Sequence, residues 1–242
     1  MLLSRACIVV PAFDAQRTLG PVVRALRGAM PELEARIIVV DDGSRDGTAD
    51  EAERLGCVVV RHADNRGKGD ALRSGFEAAR ARGWDLALTV DADGQHPADE
   101  ARRVLFASDD PDALVLGVRD LGRDGAPRPN RFSNGISNFF LSRFAERPLR
   151  DTQCGLRRYP IAKTLALGAR GRGYDFEAEV LLRAAWAGVP IVEEPVRVLY
   201  PEDRVTHFHV VRDPWRIIRT VVGATVLHRR VPSPRDLGRS SS

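Results

Sequence analysis

Cysteine is scarce. The three present (Cys7, Cys57 and Cys154) lie far apart with no paired spacing. That excludes a disulfide-stapled domain or a cysteine-built zinc site, and it points to a reducing compartment. Cys7 and Cys57 sit in apolar strand patterns and read as buried thiols. Aromatic residues make up 6% of the chain, and its basic residues are scattered rather than interleaved with aromatics, which argues against a nucleic-acid surface. No uninterrupted apolar stretch reaches the roughly 18 residues that a membrane-spanning helix needs. Met1-Leu2-Leu3-Ser4-Arg5 runs directly into a strand pattern, unlike a secretory leader. The expected location is therefore cytoplasmic. The G-x-x-x-x-G-K-[ST] spacing of a Walker loop is missing, and there is no internal repeat.

The rest of the composition is that of an ordinary globular protein, 43% hydrophobic and 29% charged. At 242 residues the chain can form one large α/β domain or two small ones. A net charge of +4 fits an anionic ligand or membrane surface, and equally a solvated arginine-rich exterior.

The first half alternates two periods. Short apolar runs at 6–10, 36–40, 57–60, 86–90 and 113–118 read as buried parallel strands. Helical spacing appears at 21–30, at 47–55 (capped from the Ser44/Asp46 region) and at 69–82. This rhythm predicts a doubly wound, mostly parallel sheet with helices on both faces, and ligands beyond the C-terminal strand ends at the switch point. The second half is less regular. Residues 122–130 read as a loop, 134–144 and 176–187 as helices, 189–192 as a strand and 213–228 as a last helix. Residues 231–242 read as a disordered tail. The expected organisation is a single domain over 1–230, with a nucleotide-binding half up to about 120 and an acceptor half from about 121.

The most informative stretch is Asp91-Ala92-Asp93-Gly94-Gln95-His96-Pro97, directly after the apolar run 86–90. Two carboxylates at i, i+2 on a strand end suit a hard divalent cation, Mg²⁺ or Mn²⁺, that clamps a diphosphate. The bare pattern is weak. With 21 Asp in the chain, chance gives about two D-x-D triplets, and Asp110-Pro111-Asp112 reads as a turn. At the end of the second strand, Asp41-Asp42-Gly43-Ser44 can accept hydrogen bonds from a base and from ribose hydroxyls, or form a turn and helix cap. Asn65-Arg66-Gly67-Lys68-Gly69 precedes a helix, where glycines and Lys68 favour an anion or form a flexible capped loop.

Taken together, 8–14, 39–48, 64–76 and 90–97 resemble the family 2 glycosyltransferases of the GT-A fold. Gly117-Val118-Arg119, Arg131 and Asp151-Thr152-Gln153-Cys154-Gly155-Leu156-Arg157 resemble the branch that makes dolichyl- and polyprenyl-phosphate mannose or glucose. The resemblance extends over most of 7–205. It implies that Pro11, Ala12, Phe13, Asp14, Asp41 and Asp42 line the nucleotide, with Lys68, Asp91 and Ala92 contributing to the donor site. Asp91, Asp93 and Gln95 would hold the metal, with Asp93 also counted as catalytic. Arg119 and Arg131 would meet the acceptor phosphate or leaving group, and Arg204 would close over the site. The chain departs from the family in having Phe13-Asp14 where Tyr-Asn or Tyr-Glu is usual, and Thr206-His207-Phe208-His209 where a Ser-Lys pair is common.

The implied reaction is inverting, metal-dependent transfer of a hexose from GDP-mannose or UDP-glucose to a polyprenyl phosphate at the inner face of the membrane. A phosphate acceptor is already anionic and needs no strong base. Asp175 and Glu177, at a helix start, are the candidates if one is needed. Asp151 has two readings: it positions a sugar hydroxyl or an arginine, or it caps a turn. Phe139, Phe140 and Phe144 read as core, His96 as a turn residue, and His207 and His209 as structural. The last helix carries arginines beside an apolar stripe, and so is either core or a membrane-surface helix. A second copy of the chain or a membrane protein is left open as a partner. Three alternatives remain: a hydroxyl acceptor, a sugar nucleotidylyltransferase, and a non-catalytic nucleotide-sugar binder.

Overall fold

A computed structural model describes residues 5–199, together with the isolated helical positions 219 and 223. The expected last helix falls almost wholly outside the described residues. Arg204, His207, His209 and the expected tail fall wholly outside them.

Among the described residues, seven strands form one sheet: β1 (Ala6–Ala12), β2 (Ile37–Asp41), β3 (Val58–Arg61), β4 (Leu86–Thr89), β5 (Leu114–Arg119), β6 (Arg157–Pro160) and β7 (Ile191–Val196), in the order β3-β2-β1-β4-β6-β5-β7. All pairings are parallel except those of β6, which runs antiparallel between β4 and β5. The helices are α1 (Gln16–Ala29), α2 (Thr48–Arg54), α3 (Lys68–Ala81), α4 (Ala98–Phe106), α5 (Arg128–Phe144), α6 (Ile161–Ala166) and α7 (Asp175–Trp186).

Continuous apolar strands result because both faces are covered. Along β1, Cys7 and Val9 join the core beneath α3 and α7, while Ala6, Ile8 and Val10 join the core beneath α1 and α4. Strand side chains alternate between faces, so one run of valines and isoleucines feeds two cores. Burial pushes the Cys7 thiol up to about 12, as it does for Cys154. Cys57, just ahead of β3, is only partly buried.

Several boundaries differ from the pattern. Helix α1 starts at Gln16 rather than Pro21 because its exposed N-terminal donors are satisfied from far along the chain. Thr48 Oγ1 accepts the Ala15 N–H at 2.8 Å, and Asp46 Oδ2 accepts the Gln16 N–H at 3.1 Å. Asp46 also caps α2, its Oδ1 accepting the Thr48 N–H at 2.9 Å. Ser44 has a different role. Its Oγ accepts the Asp14 N–H at 2.9 Å and so joins the β1 loop to the β2 loop. Helix α5 reaches back to Arg128, into the expected loop, with Pro129 in its first turn, where a proline is tolerated. Strand β7 runs to Val196, and its Pro195 lies in an edge strand, where the missing N–H does no harm.

Strand β6 and helices α4 and α6 are absent from the sequence pattern. β6 is unusual in carrying two fully buried arginines. Arg157 donates to the carbonyls of Cys154 (2.7 Å), Thr152 (2.7 Å) and Glu177 (3.0 Å). Arg158 points to the other face and donates to the carbonyls of Leu105, Ser108 and Asp110, two of them at and just past the C-terminal end of α4. Buried charge is tolerated when its donors find acceptors, and although Arg158 Nε has no partner, the negative end of a helix supplies its two Nη groups with acceptors well suited to a cation.

Candidate active site

The sheet order places β1 between β2 and β4, so the topological switch lies where the C-terminal ends of β1 and β4 diverge. Pro11, Ala12, Phe13 and Asp14 leave β1 here, Asp41 and Asp42 end β2 beside them, and Asp91, Ala92 and Asp93 follow β4.

The two acidic motifs are used differently. Asp42 is buried and serves the chain itself. Oδ1 accepts the Arg66 N–H at 3.0 Å and faces His62 Nδ1 at 2.6 Å, while Oδ2 accepts the Gly67 N–H at 2.7 Å. The second nitrogen of His62 lies 2.9 Å from Ser74 Oγ on α3. Asp42 therefore folds the 62–67 loop onto the end of β2 and sets where α3 begins. Gly43 has φ +73, and a Cβ there would lie 2.4 Å from the Asp64 carbonyl carbon, so the two loops can meet only over a glycine. Asp41 Oδ1 accepts the Ser44 N–H at 3.1 Å. Asp14 holds a left-handed backbone (φ 49), with Oδ1 accepting the Arg45 N–H at 2.8 Å. Such a conformation persists in a non-glycine residue only where its surroundings impose it.

The N-terminus of α3 is not an open anion cradle. The Arg172 carbonyl takes the Gly69 N–H at 2.8 Å and the Asp70 N–H at 3.3 Å. Only the Lys68 side chain faces the site. Its Nζ lies 2.7 Å from Asp91 Oδ1 and 3.2 Å from Glu177 Oε2, with the Tyr174 ring centroid at 5.4 Å. Burial alone would depress the ammonium, but Asp91 and then Glu177 outweigh it and hold its pKa above the usual value. Reciprocally, Lys68 overcomes the burial of Asp91 and keeps that carboxyl below its usual range.

Asp93 has the opposite balance. It accepts the Gln95 N–H at 3.0 Å within its own turn. Burial first, and then the charge of Asp91, lift its pKa to about 6. Beside it, burial lowers His96 to about 4, and its Nδ1 is buried without a hydrogen-bond partner. Two carboxylates forced together, with the Gln95 amide in the same turn, form an all-oxygen donor set suited to Mg²⁺ or Mn²⁺. Among the described residues no group of three or more His, Cys, Asp or Glu side chains could hold a metal. A cation that binds substrate phosphates commonly takes only one or two carboxylates from the protein, a mode with which the pair Asp91 and Asp93 is chemically compatible.

On the far side of β4, Arg119 ends β5. Asp151 receives its Nε at 2.7 Å, its Nη2 at 3.0 Å and its backbone N–H at 3.1 Å. Asp151 also accepts the Gln153 N–H at 3.2 Å, so it both fixes an arginine and shapes a turn. Its burial would raise its pKa, yet the Arg119 guanidinium lowers it. Arg119 lines an open cavity of about 460 Å³ with Arg131, Asn134 and Asn138 of α5, Arg150, and the apolar Val118, Leu121 and Pro195.

The structure thus gathers Lys68, Asp91, Asp93, Arg119 and Asp151 at one place, with Arg131 across the cavity. Gly155, Arg150 and the two asparagines were not legible as site residues, and Glu177, read only as a candidate base, instead pairs with Lys68. Gly155 had a signal in its motif: a Cβ there would fall 2.3 Å from Asp91 Oδ2 and 2.7 Å from Lys68 Nζ. Asp175 Oδ1 accepts the Gly173 N–H at 2.9 Å, and Glu177 is committed to Lys68, so both acids have local work. Phe139, expected in the core, is 68% exposed, and Phe132 is 73% exposed on the same helix. Phe144 does pack against the core.

Residues 7–162 match the family model described as glycosyl transferase family 2. The chain is 29% identical over 209 residues to a polyprenol monophosphomannose synthase of Mycolicibacterium smegmatis, covering 79% of this chain and 76% of the relative. It is 29% identical over 203 residues to an undecaprenyl-phosphate mannosyltransferase of Micrococcus luteus, covering 79% and 82%. The fold is shared with glucosyl-3-phosphoglycerate synthase from Mycobacterium tuberculosis, solved with Mn²⁺, uridine diphosphate and phosphoglyceric acid. There the TM-score is 0.70 at 18% identity, over 95% of this chain and 80% of the other. With a GT-A-type sheet, its acidic turn at the switch point and a family match over more than half its length, this chain belongs to the family 2 glycosyltransferases.

Proposed function

We propose that this enzyme moves a hexose from a nucleotide sugar, GDP-mannose or UDP-glucose, onto the phosphate of a polyprenyl phosphate, with inversion at the anomeric carbon. The observation that carries this reading is the arginine-lined cavity beside the acidic turn. Its three guanidinium groups, of which Arg150 also pairs with Glu193, outnumber its one carboxylate, Asp120, and with two amides and an apolar rim they suit a phosphate on an apolar chain. The names of the two curated relatives point to the same acceptor class.

Asp91, Asp93 and Gln95 would hold the divalent cation. When bound, it neutralises the departing diphosphate. Pro11, Ala12, Phe13, Asp14 and Asp41 would line the nucleotide at the paired C-terminal ends of β1 and β2, beside the switch point. Arg119 needs its orientation before the substrate arrives, and the two-point grip of Asp151 provides it. Arg119 and Arg131 would then turn one acceptor oxygen toward the sugar. An acceptor phosphate is deprotonated near neutral pH, so no general base is needed. The commitments of Asp175 and Glu177 fit that requirement.

Helix α5 supports work at a membrane surface. Its 17 residues include three arginines and no acid, and Phe132 and Phe139 lie exposed seven positions apart. Basic and apolar groups on one helix suit an anionic bilayer interface, and the same helix lines the cavity. Among the described residues, no helix is long and apolar enough to cross a membrane.

The test supplies radiolabelled GDP-mannose or UDP-glucose with Mn²⁺ to the protein and polyprenyl phosphate in anionic vesicles. Label should pass into the lipid extract and be lost with EDTA. Transfer only to a soluble hydroxyl acceptor such as a saccharide or glycerate phosphate, or no transfer with either donor, overturns the assignment.

A further inference from the structure

Lys68 occupies the acidic turn in a way that binding a phosphate does not explain. Its ammonium lies on Asp91 Oδ1 at 2.7 Å and on Glu177 Oε2 at 3.2 Å, and only 13% of the side chain is exposed. The other oxygen of Asp91, Oδ2, abuts Gly155 so closely that a Cβ there would come within 2.3 Å. Lys68 thus already holds one of the two oxygens that Asp91 can offer an incoming cation. Glu177 is 5% exposed, its Oε1 has no hydrogen-bond partner, and Arg157 Nε stands 4.0 Å away. Three carboxylates (Asp91, Asp93 and Glu177) thus face two buried or half-buried cations, Lys68 and Arg157, which leaves Glu177 able to retain an ammonium that gives up Asp91.

We propose that Lys68 is a built-in competitor of the divalent cation for Asp91, so that cation and nucleotide diphosphate bind together more tightly than either binds alone. A cation arriving by itself must break the Lys68–Asp91 pair without replacement. When a diphosphate arrives as well, the displaced ammonium gains a new anionic partner and the loss is offset. Linkage then requires the nucleotide to raise cation affinity and the cation to raise nucleotide affinity by the same factor. This inference rests on assigning Asp91 and Asp93 to the metal.

The experiment measures Mn²⁺ binding by the spin-resonance signal of the free ion, with and without UDP or GDP. Wild type, Lys68→Met, Glu177→Gln and Asp93→Ala are compared after their melting curves are checked. Lys68→Met should bind Mn²⁺ alone about tenfold more tightly than wild type. The nucleotide enhancement seen in wild type should shrink toward unity. Glu177→Gln, which leaves Lys68 with Asp91 as its charged partner, should bind Mn²⁺ alone more weakly, and it carries the test if Lys68→Met fails to fold. A merely structural lysine would weaken both ligands together when removed. Folded Lys68→Met with unchanged or weaker Mn²⁺ binding, or Glu177→Gln with tighter binding, overturns the inference. Wild-type Mn²⁺ affinity in Asp93→Ala overturns the metal assignment instead, and a wild type that binds no Mn²⁺ under either condition overturns both.

Discussion

Two acidic turns, at the ends of β2 and β4, look alike in the chain and differ in the fold. Asp42 takes two backbone N–H groups and an imidazole, whereas Asp93 takes a backbone N–H from its own turn and is lifted to about 6 by burial and by Asp91. The first carboxylate has its charge satisfied by the chain. The second carries an unmet demand for positive charge. A carboxylate that the fold leaves uncomfortable is a candidate for function, and one that the fold saturates is a candidate for architecture. A similar contrast separates two arginines of the second half of the chain: Arg157 is wholly buried on carbonyls, while Arg131 is exposed at the cavity.

The sharpest way to break this comparison is Asp93→Ala. Turnover should fall by at least about 10²–10³, the usual effect of removing one preorganised charge contact, while the melting temperature holds or rises. Near-full metal-dependent activity in initial-rate assays would contradict the role given to Asp93.

Asp42→Ala should do the reverse. It strands two amide donors and His62, so it should destabilise the fold by about 3 kcal/mol, roughly 10 °C in melting temperature for a chain of this size. A calorimetric scan checks this. A fully stable Asp42→Ala protein with lost nucleotide binding would move Asp42 from architecture to function.

The smallest effect is in pH. The folded pKa of Asp93, about 6, lies above its unfolded value of 3.8. The fold therefore keeps a proton that the unfolded chain releases, and this group's contribution to stability declines as pH rises through that window. His96 acts in the opposite sense. Its folded value of about 4 lies below 6.5, so its contribution grows with pH over that interval and partly masks Asp93. In EDTA, the melting-temperature gain of Asp93→Asn over wild type should widen from pH 4 to pH 7. A gain that is flat or narrows with pH would show that Asp93 is not strained.

Much of the first half of the chain was legible because its signals are local. Runs such as 6–10 and 37–40 are apolar on every residue, which fits strands covered on both faces, and Asp41 and Asp42 follow the second directly. The start of α1 was hidden because its caps, Asp46 and Thr48, come from another loop. Ser44 could be read as a helix cap, since its partner Asp14 is 30 positions away. β6 was hidden more deeply. Arg157-Arg158 is polar in any local window, and only carbonyls from α4, α7 and the 152–154 turn make it a core strand.

The chain by itself determined the alternating strands, the acidic turns at their ends and the resemblance that names the family, because each depends on neighbours within a few residues. Tertiary structure alone decided which carboxylate is saturated, that Lys68 holds Asp91, and that Asp151 fixes Arg119. A charge takes its meaning from the partners within about 4 Å, and here those partners come from strands and helices as many as about a hundred positions apart.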